Sequence, residues 1–432
     1  MSVSDMFKTF LDNLKVDTTE QISLRYGEIT SSLNKKFTDS DSKESNSLQV
    51  GSYGRYTGIK GISDLDMLYI MPKGKWDTYK NDKQSELLTD VKDAIKARYP
   101  KTDVCVDRLV VTVTYTNFHV EVQPVFEETD EDGGSYFNYP DTYNGGRWKK
   151  TKPRQEMQAI KDLNKEKNNN LRLLCKMARA WKNKHGVSMG GLLIDTLAYN
   201  FLKSTAEFDE KSFLYFDWLS RDFFKYLSEQ PDQDHYKAPG SNQNVKVSKK
   251  FQKKAKKAYD LSLKAIEAEK TDMVNDKWKK VYGRNFPAGK VAEEMLAKAA
   301  RAWRNTEEFI EDVYPIDVGF NIDLDCDVSQ NGYRENTLGY MLSKRIPLLS
   351  NKKLLFTVTG HNVPEPFTLK WKVLNQGAEA ERRDNVRGQI VADDGYMRRK
   401  ESTTFKGTHV VECYAVKNGV VVAREQINVP IQ

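Results

Sequence analysis

The chain has 432 residues, of which 39% are hydrophobic and 30% are charged. This length exceeds what one hydrophobic core supports and predicts two or three domains, and the composition is that of a soluble globular protein. The formal net charge of +7 suits a protein that handles phosphates but is equally common elsewhere, so the charge does not indicate nucleic-acid binding.

Several other classes of protein are disfavoured by the same sequence. Residues 1–17 are amphipathic and lack the apolar centre of a signal peptide, and no apolar run is long enough to span a bilayer. The cytoplasm is therefore the expected location. The four cysteines are far apart without a CxxC pair, and the five histidines are scattered. Both patterns argue against a disulfide framework, a zinc knuckle or a histidine metal site.

The first predicted domain, residues 1–165, has the pattern of a small α/β palm. Apolar residues up to Leu33 have helical spacing, and residues 48–50 and 65–70 indicate two strands around a glycine-rich turn. Residues 82–100 predict a helix that ends at Pro100. The alternating, β-branched residues 104–127 predict two neighbouring strands.

Two further domains are predicted after the palm. Residues 166–315 form a helical lobe, with helices expected in 168–186, 191–204, 212–230 and 247–270. Residues 316–432 contain short alternating strands and an Asn418-Gly419 hairpin signal, which predict an all-β, Ig-like sandwich. The lysine-rich run 249–259 is more typical of the solvated face of a helix than of a nucleic-acid site.

A candidate metal site follows the glycine-rich turn. Residues two apart on a strand share a face, so Asp64 and Asp66 present adjacent carboxylates, whose repulsion a divalent cation would remove. Mg²⁺ prefers such oxygen ligands and bridges them to phosphates, and two ions can align an attacking hydroxyl with a leaving pyrophosphate. A DxD pair alone is equally consistent with an exposed strand end.

The rest of the candidate site comes from the turn and from a later strand. Gly51 allows the backbone to approach a phosphate closely, and Ser52 offers a hydroxyl and an N–H group. Glu121 supplies a third carboxylate and alternates with His119 and Gln123 on one face of its strand. Asp103 and Asp107 lie earlier in the sequence and are less suited to act as the third carboxylate. Arg55 and Lys60 of the turn could add positive charge, but loop residues of this type are more often solvated.

These motifs resemble a known family. The run GSYGRYTGIKGISDLDMLYIMP (51–72) looks like the GS-spacer-DxD signature of polymerase-β-type nucleotidyltransferases, and HVEVQPVF (119–126) resembles their third-carboxylate strand. Residues 145–164 and 171–202 are similar to the helical lobe of the cGAS/DncV-like group, and Trp278 with residues 283–287 resembles the end of that catalytic core. The β segment resembles the AGS-C-type sensor domain of some bacterial members. The resemblance covers nearly the whole chain and departs at Glu121, where many members have Asp.

The resemblance implies further nucleotide contacts. In that family a basic residue and a serine of the helical lobe hold the triphosphate, and the matching positions here are Lys176, Arg179 or Lys182, with Ser188. The basic residues are equally consistent with a solvated stripe on their helix. Trp181 is interpreted as a core residue, and Asp195 as a residue that caps a helix or forms an ion pair.

The resemblance also implies a function. Asp64, Asp66 and Glu121 would hold two Mg²⁺ or Mn²⁺ ions, and Gly51 and Ser52 would bind ATP, GTP or another NTP. The product would be a cyclic di- or trinucleotide second messenger, released with pyrophosphate, in bacterial anti-phage (CBASS-type) signalling. A separate effector would respond to that product rather than to direct contact, and neither nucleic acid nor a membrane is an expected partner.

Two alternatives remain open from the residues themselves. A nucleotidyltransferase that modifies RNA or a protein carries the same GS and DxD residues. A non-catalytic nucleotide-binding regulator is a further possibility, although an intact set of metal ligands argues against it.

Overall fold

The computed structural model describes residues 2–62, 64–116, 118–131, 133–289, 307–330, 335–376, 378–383 and 385–432. The chain divides into two compact units: unit 1 comprises Met1–Ala180 and Gly191–Val247, and unit 2 comprises Trp181–Gly190 and Ser248–Gln432. The helical lobe predicted over 166–315 is thus shared between the units, and its residues 290–306 lie outside the described ranges. The predicted domain boundaries stay predictions.

The helices of the described chain follow the predicted order closely. The four helices expected between residues 168 and 270 are all present, and none of the described helices is long and apolar enough to cross a membrane. The helices are α1 Val3–Asn13, α2 Thr19–Phe37, α3 Gly51–Gly54, α4 Trp76–Tyr79, α5 Gln84–Arg98, α6 Pro153–Glu166, α7 Asn170–His185, α8 Gly191–Lys203, α9 Phe216–Ser228, α10 Gln252–Glu267, α11 Val274–Tyr282, α12 Ile310–Val313, α13 Leu338–Ser343 and α14 Ala378–Arg382.

The described strands of unit 1 include a seven-stranded mixed sheet, whose central path is β1-β2-β5-β4-β3 and whose β6 and β7 continue from β5. The strands β2 and β5 are parallel, and buried residues of both, such as Leu65 and Val120, pack with α2 and α5 in one hydrophobic core. The strands are β1 Ser47–Gln49, β2 Asp64–Ile70, β3 Asp103–Val106, β4 Val111–Thr114, β5 His119–Thr129, β6 Ser135–Asp141 and β7 Arg147–Thr151, with the separate pair β8 His235–Lys237 and β9 Asn244–Lys246.

Two details of this sheet differ from the prediction. The stretch 104–127 was predicted as two strands, but it contains three, because a tight turn in which Asp107 and Val110 exchange backbone hydrogen bonds separates β3 from β4. The hairpin of β6 and β7 was not predicted. Its sequence is rich in Tyr, Asn and Lys and has few of the aliphatic residues that mark a strand.

The C-terminal part of unit 2 contains two four-stranded antiparallel sheets among its described residues, in the orders β11-β10-β12-β15 and β14-β13-β16-β17. Residues of both sheets, such as Phe356 and Trp371, share one hydrophobic core. An Ig-like arrangement of these sheets stays a prediction. The strands are β10 Ile322–Ser329, β11 Asn336–Thr337, β12 Lys353–His361, β13 Thr368–Leu374, β14 Arg387–Ala392, β15 Arg398–Ser402, β16 Gly407–Lys417 and β17 Val420–Ile431.

The Asn418-Gly419 hairpin is confirmed. Both residues have positive φ, 51° and 76°, and they connect β16 to β17 where Lys417 pairs with Val420. Such φ values suit Asn and Gly at the two centres of a tight hairpin turn. By contrast, β15 was missed because three of its five residues, Arg398, Arg399 and Lys400, are basic, and charged residues are depleted in strands.

Candidate active site

The pairing of β2 with β5 brings the three predicted carboxylates onto one face. The strands are parallel, with Asp64 opposite His119 and Asp66 opposite Glu121. Residues paired in this way point to the same side of a sheet, as do residues two apart on one strand. Asp64, Asp66 and Glu121 are partly accessible, whereas Leu65 and Val120 between them are buried in the core.

His119 pairs with Asp64 in the register of β2 and β5, so it lies next to this carboxylate face. Its side chain is buried, and its Nε2 lies 3.8 Å from Oε1 of Glu121. That distance is too long for a hydrogen bond. His119 therefore lies beside Glu121 on the same face of β5.

The carboxylate face has the donor chemistry for a hard divalent cation. Carboxylate oxygens are the ligands that Mg²⁺ prefers, and two adjacent strands supply three such groups here. Across the described residues, however, no three His, Cys, Asp or Glu side chains are grouped as they would be around a bound ion. The candidate metal site therefore rests on the shared face of the three carboxylates.

Gly51 lies directly against one of these carboxylates. Its φ is +63°, and a Cβ added to it would lie 1.7 Å from Oδ2 of Asp66. The contact is fixed by the backbone, because Val50 N–H donates to the Asp66 carbonyl at 3.1 Å. Any side chain at position 51 would displace the Asp66 carboxylate, so the glycine is required by both conformation and space.

Ser52 lies in a closed turn next to this contact. Its carbonyl accepts backbone hydrogen bonds from Thr57 at 2.9 Å and from Gly58 at 3.1 Å. The Ser52 side chain is partly accessible. The turn thus holds the backbone around residue 52 in a fixed shape while leaving the serine side chain open to a ligand.

A buried ion cluster ties this turn to the helices of unit 1. We call it the Asp195 cluster; it comprises Arg55, Thr57, Arg179 and Asp195. The Asp195 carboxylate accepts hydrogen bonds from Arg55 Nε at 2.8 Å, Thr57 Oγ1 at 3.0 Å, and Arg179 Nη1 and Nη2 at 2.6 and 3.0 Å. All four residues are buried, so Arg55 is part of the core and is not a solvated loop residue.

The charges of the Asp195 cluster are matched. Burial disfavours an ionised carboxylate, but the guanidinium groups of Arg179 and Arg55 outweigh it and hold the pKa of Asp195 below its ordinary value. The anion is thus shared between two buried cations. The cluster attaches the turn to α7 and α8. The charge of Arg55 is balanced by the Asp195 carboxylate.

Arg172, also on α7, adds a second attachment to the turn. Its Nε donates to the Arg55 carbonyl at 3.1 Å, and its guanidinium lies 4.8 Å from the centroid of the Tyr56 ring. Tyr56 has a φ of +62°, a conformation that is uncommon outside glycine and asparagine. The turn is therefore held by both its backbone and its side chains.

Tyr26 is a neighbour of the site that sequence reasoning missed. Its hydroxyl, on α2, donates to the Asp66 carbonyl at 3.4 Å. Burial, and then the nearby Asp66 carboxylate, raise the pKa of Tyr26 far above its ordinary value, so it stays a neutral donor. In the sequence Tyr26 is one of the apolar positions with helical spacing, and nothing distinguishes it from a core residue.

The four residues predicted on the helical lobe have different surroundings. Arg179 belongs to the Asp195 cluster, whereas the half-buried Lys176 forms no hydrogen bond or ion pair through its side chain among the described residues. In unit 2, Lys182 forms an ion pair with Asp317, and Ser188 Oγ donates to the Gly319 carbonyl at 3.0 Å. Nucleotide contact by any of the four stays a prediction.

Both ends of the chain match models of known protein families. Residues 1–164 match the family model of the Second Messenger Oligonucleotide or Dinucleotide Synthetase domain (SMODS), and residues 304–432 match that of the Adenylyl/Guanylyl and SMODS C-terminal sensor domain. A probable cyclic nucleotide synthase of Bacillus cereus (strain VD146) is 22% identical over 281 residues, which are 55% of this chain and 81% of that protein.

Some solved structures resemble the fold of this chain at low sequence identity. CdnC of E. coli MS115-1, solved with ATP, matches with a TM-score of 0.50 and 14% identity, covering 67% of this chain and 99% of that one. Vibrio cholerae DncV, solved with 3'-deoxy ATP, has a TM-score of 0.46 and 13% identity over 57% of this chain and 70% of that one.

The family matches agree with the geometry of the site. The SMODS match includes the GS turn, the Asp64/Asp66 pair and Glu121, and the CdnC match shows a shared fold. With a SMODS domain over residues 1–164 and the matching sensor domain over residues 304–432, the chain is a nucleotidyltransferase related to the cyclic nucleotide synthases.

Proposed function

We propose that this nucleotidyltransferase joins NTPs, with ATP and GTP as the first candidates, into a cyclic di- or trinucleotide. The observation that carries the proposal is the position of Asp66, whose carboxylate lies against Gly51 and whose strand position pairs with Glu121. The proposed phosphate-binding turn and the proposed metal-binding face thus share the Asp66 side chain. The Bacillus relative, a probable cyclic nucleotide synthase, supports the same class of product.

In the proposed reaction Asp64, Asp66 and Glu121 would hold two Mg²⁺ or Mn²⁺ ions. Such ions, when bound, supply charge neutralisation and activation of the attacking hydroxyl. The chain itself holds the donor nucleotide through the Gly51 backbone and the Ser52 hydroxyl and N–H. A ribose hydroxyl of the acceptor loses its proton to solvent while its oxygen bonds the α-phosphorus, the bond from the α-phosphorus to the bridging oxygen of the β-phosphate breaks, and pyrophosphate leaves with that oxygen. A second transfer closes the ring.

Lys176 is the best supported of the proposed helical-lobe contacts. It lies on α7 one turn after Arg172, which contacts the GS turn. Burial, and then the neighbouring charges of Lys15, Arg172 and Arg179, lower the pKa of Lys176. A phosphate group would relieve this accumulation of positive charge, whereas Arg179, Lys182 and Ser188 already have partners of their own.

The wider role that we propose is a cytoplasmic signalling enzyme. Its product would activate a separate effector in anti-phage defence of the CBASS type. The two C-terminal sheets would form an Ig-like sensor domain that responds to a ligand. The name of the matched C-terminal family, a sensor domain, supports this part of the proposal.

The direct test is to incubate the purified chain with all four NTPs and Mg²⁺ or Mn²⁺, and to analyse the products by chromatography and mass spectrometry. We expect a phosphatase-resistant product with the mass of a cyclic di- or trinucleotide, and pyrophosphate release that EDTA abolishes. Failure to consume any NTP with either metal would contradict enzymatic activity. Nucleotide attached only to added RNA or to protein would support the alternative transferase function.

Replacing Gly51 with Ala is expected to reduce turnover at least about a hundredfold. The new Cβ would lie within 1.7 Å of Oδ2 of Asp66 unless the carboxylate moves, and a positive φ disfavours alanine. The rate of pyrophosphate release measures the effect. Gly74 is the matched control, because its added Cβ would meet no atom within 4 Å. Equal activity of G51A and G74A would show that the contact with Asp66 is dispensable.

A further inference from the structure

A cavity within unit 2 is lined mainly by cationic side chains. Its volume is about 320 Å³, and its walls come from the end of α7, from α10 and α11, and from β17. The charged residues around it are five cations and one anion, namely Lys184, Lys254, Lys257, Lys280, Arg424 and Glu425. None of them belongs to the candidate active site.

Two of the five cations are already neutralised. Lys254 Nζ lies 3.2 Å from the Glu425 carboxylate and also donates to the carbonyls of His185 and Gly186. Arg424 is buried and bonds Glu311 at 3.2 Å and Glu412 at 2.9 Å. These two side chains therefore serve the fold, and their charges do not need a ligand.

The other three cations lack such compensation. Within the described chain no ion pair or hydrogen bond is made by the ammonium groups of Lys184, Lys257 and Lys280. Lys257 and Lys280 are exposed, and Lys184 is half-buried. Burial, and then the adjacent Arg424, lower the pKa of Lys184 despite the opposing effect of Glu412 and Glu311. The cavity thus carries net positive charge that an anion would offset.

The walls of this cavity are fixed by tight packing. Gly186, at the end of α7, has a φ of +57°, and an added Cβ would lie 2.2 Å from the Arg424 carbonyl oxygen. The backbone of β17 therefore abuts the end of α7, and Lys254 ties the same corner to α10. On α10, Lys254 and Lys257 are three residues apart, so they share one face of the helix. The walls of the cavity are therefore built from helices and a strand that pack closely at this corner.

We propose that this cavity binds a small anion with two or more phosphate groups. Lysine ammoniums are compact point charges that suit phosphate oxygens, and three of them from three helices can contact phosphates that are spaced along one ligand. The cavity lies at the lower end of the volumes found for small-molecule sites. Inorganic polyphosphate, a nucleoside triphosphate and a cyclic dinucleotide share this chemistry. The proposal is independent of catalysis.

The test uses the full-length chain in EDTA, which suppresses metal-dependent binding at the active site. Tripolyphosphate, ATP and a cyclic dinucleotide are titrated separately by isothermal calorimetry. We expect saturable binding of at least one probe, weakened about a hundredfold in K257A/K280A, since each lost charged hydrogen bond accounts for roughly a tenfold change. Both lysines are exposed, so the double variant should fold, and its melting temperature checks this.

The control variant K253A/K264A removes the same charge from exposed positions of α10 outside the cavity. Its affinity should stay within about threefold of the parent, as expected for screened surface charges. Binding of tripolyphosphate alone would identify an inorganic ligand, and binding of ATP or the cyclic dinucleotide a nucleotide ligand. Absence of saturable binding by all three probes, or equal weakening in the two double variants, would overturn the proposal.

Discussion

Replacing Asp66 with Asn should lower the rate of pyrophosphate release at least about a thousandfold. Metal ligation supplies several kcal/mol of transition-state stabilisation, and each 1.4 kcal/mol corresponds to a factor of about ten. An amide at this position keeps the size of the side chain but loses the negative charge that holds a cation. The hydrogen bonds that the Val50 N–H and the Tyr26 hydroxyl donate to the residue-66 carbonyl are kept, so the fold should be unaffected.

Asp103 provides the matched control for this experiment. It is an exposed aspartate on the edge strand β3 of the same sheet, and D103N should leave the rate within about twofold of the parent, since exposed substitutions change little. Melting temperatures of both variants are measured alongside. If D66N retained more than a tenth of the parent rate, the carboxylate face of β2 and β5 would not be the metal site.

Replacing Asp195 with Ala should destabilise the protein by about 3–5 kcal/mol, which corresponds to a melting temperature lower by roughly 10 °C. The guanidinium groups of Arg55 and Arg179 would stay buried without their shared carboxylate. Activity should fall as well, because Thr57 and Arg55 would lose the contact that shapes the GS turn. Calorimetry or thermal fluorimetry measures the first effect, and pyrophosphate release at a low temperature measures the second.

A surface ion pair of unit 1 serves as the comparison. Asp77 is 81% exposed and pairs with Lys80, and D77A should change the stability by less than about 1 kcal/mol. The D195N variant keeps the shape of the buried side chain and should show a smaller loss than D195A. A melting temperature of D195A equal to that of D77A would show that the buried ions contribute little to the stability of this protein.

The carboxylates could be predicted from the sequence because their positions depend on local rules. Asp64 and Asp66 share a face through the two-residue repeat of a strand, and the buried Val120 and Val122 on the next strand show which side Glu121 takes. The register that brings Glu121 beside Asp66 depends on the whole sheet. The sequence could suggest that register only through resemblance to a family.

The roles of Arg55 and Asp195 depend on contacts between residues 140 positions apart, and no local pattern reveals them. An arginine in a glycine-rich turn is usually solvated, and an aspartate in an apolar helix can cap, pair or bind a ligand. The surroundings of the lysines of α10 likewise cannot be predicted from a local sequence pattern. Their spacing identifies one helix face, but whether that face meets water or a cavity depends on β17, which follows more than 150 residues later.

The parallel pairing of β2 and β5 also affects how such sites can change during evolution. The register of the sheet places Asp66 beside Glu121. The segment of 48 residues from Met71 to Phe118 can therefore gain or lose residues without separating the two carboxylates. A single insertion inside either strand would instead place a core valine opposite Asp66 and turn a carboxylate toward the core. Relatives should therefore vary in the distance between the DxD pair and the third carboxylate, while insertions within the two strands should be rare.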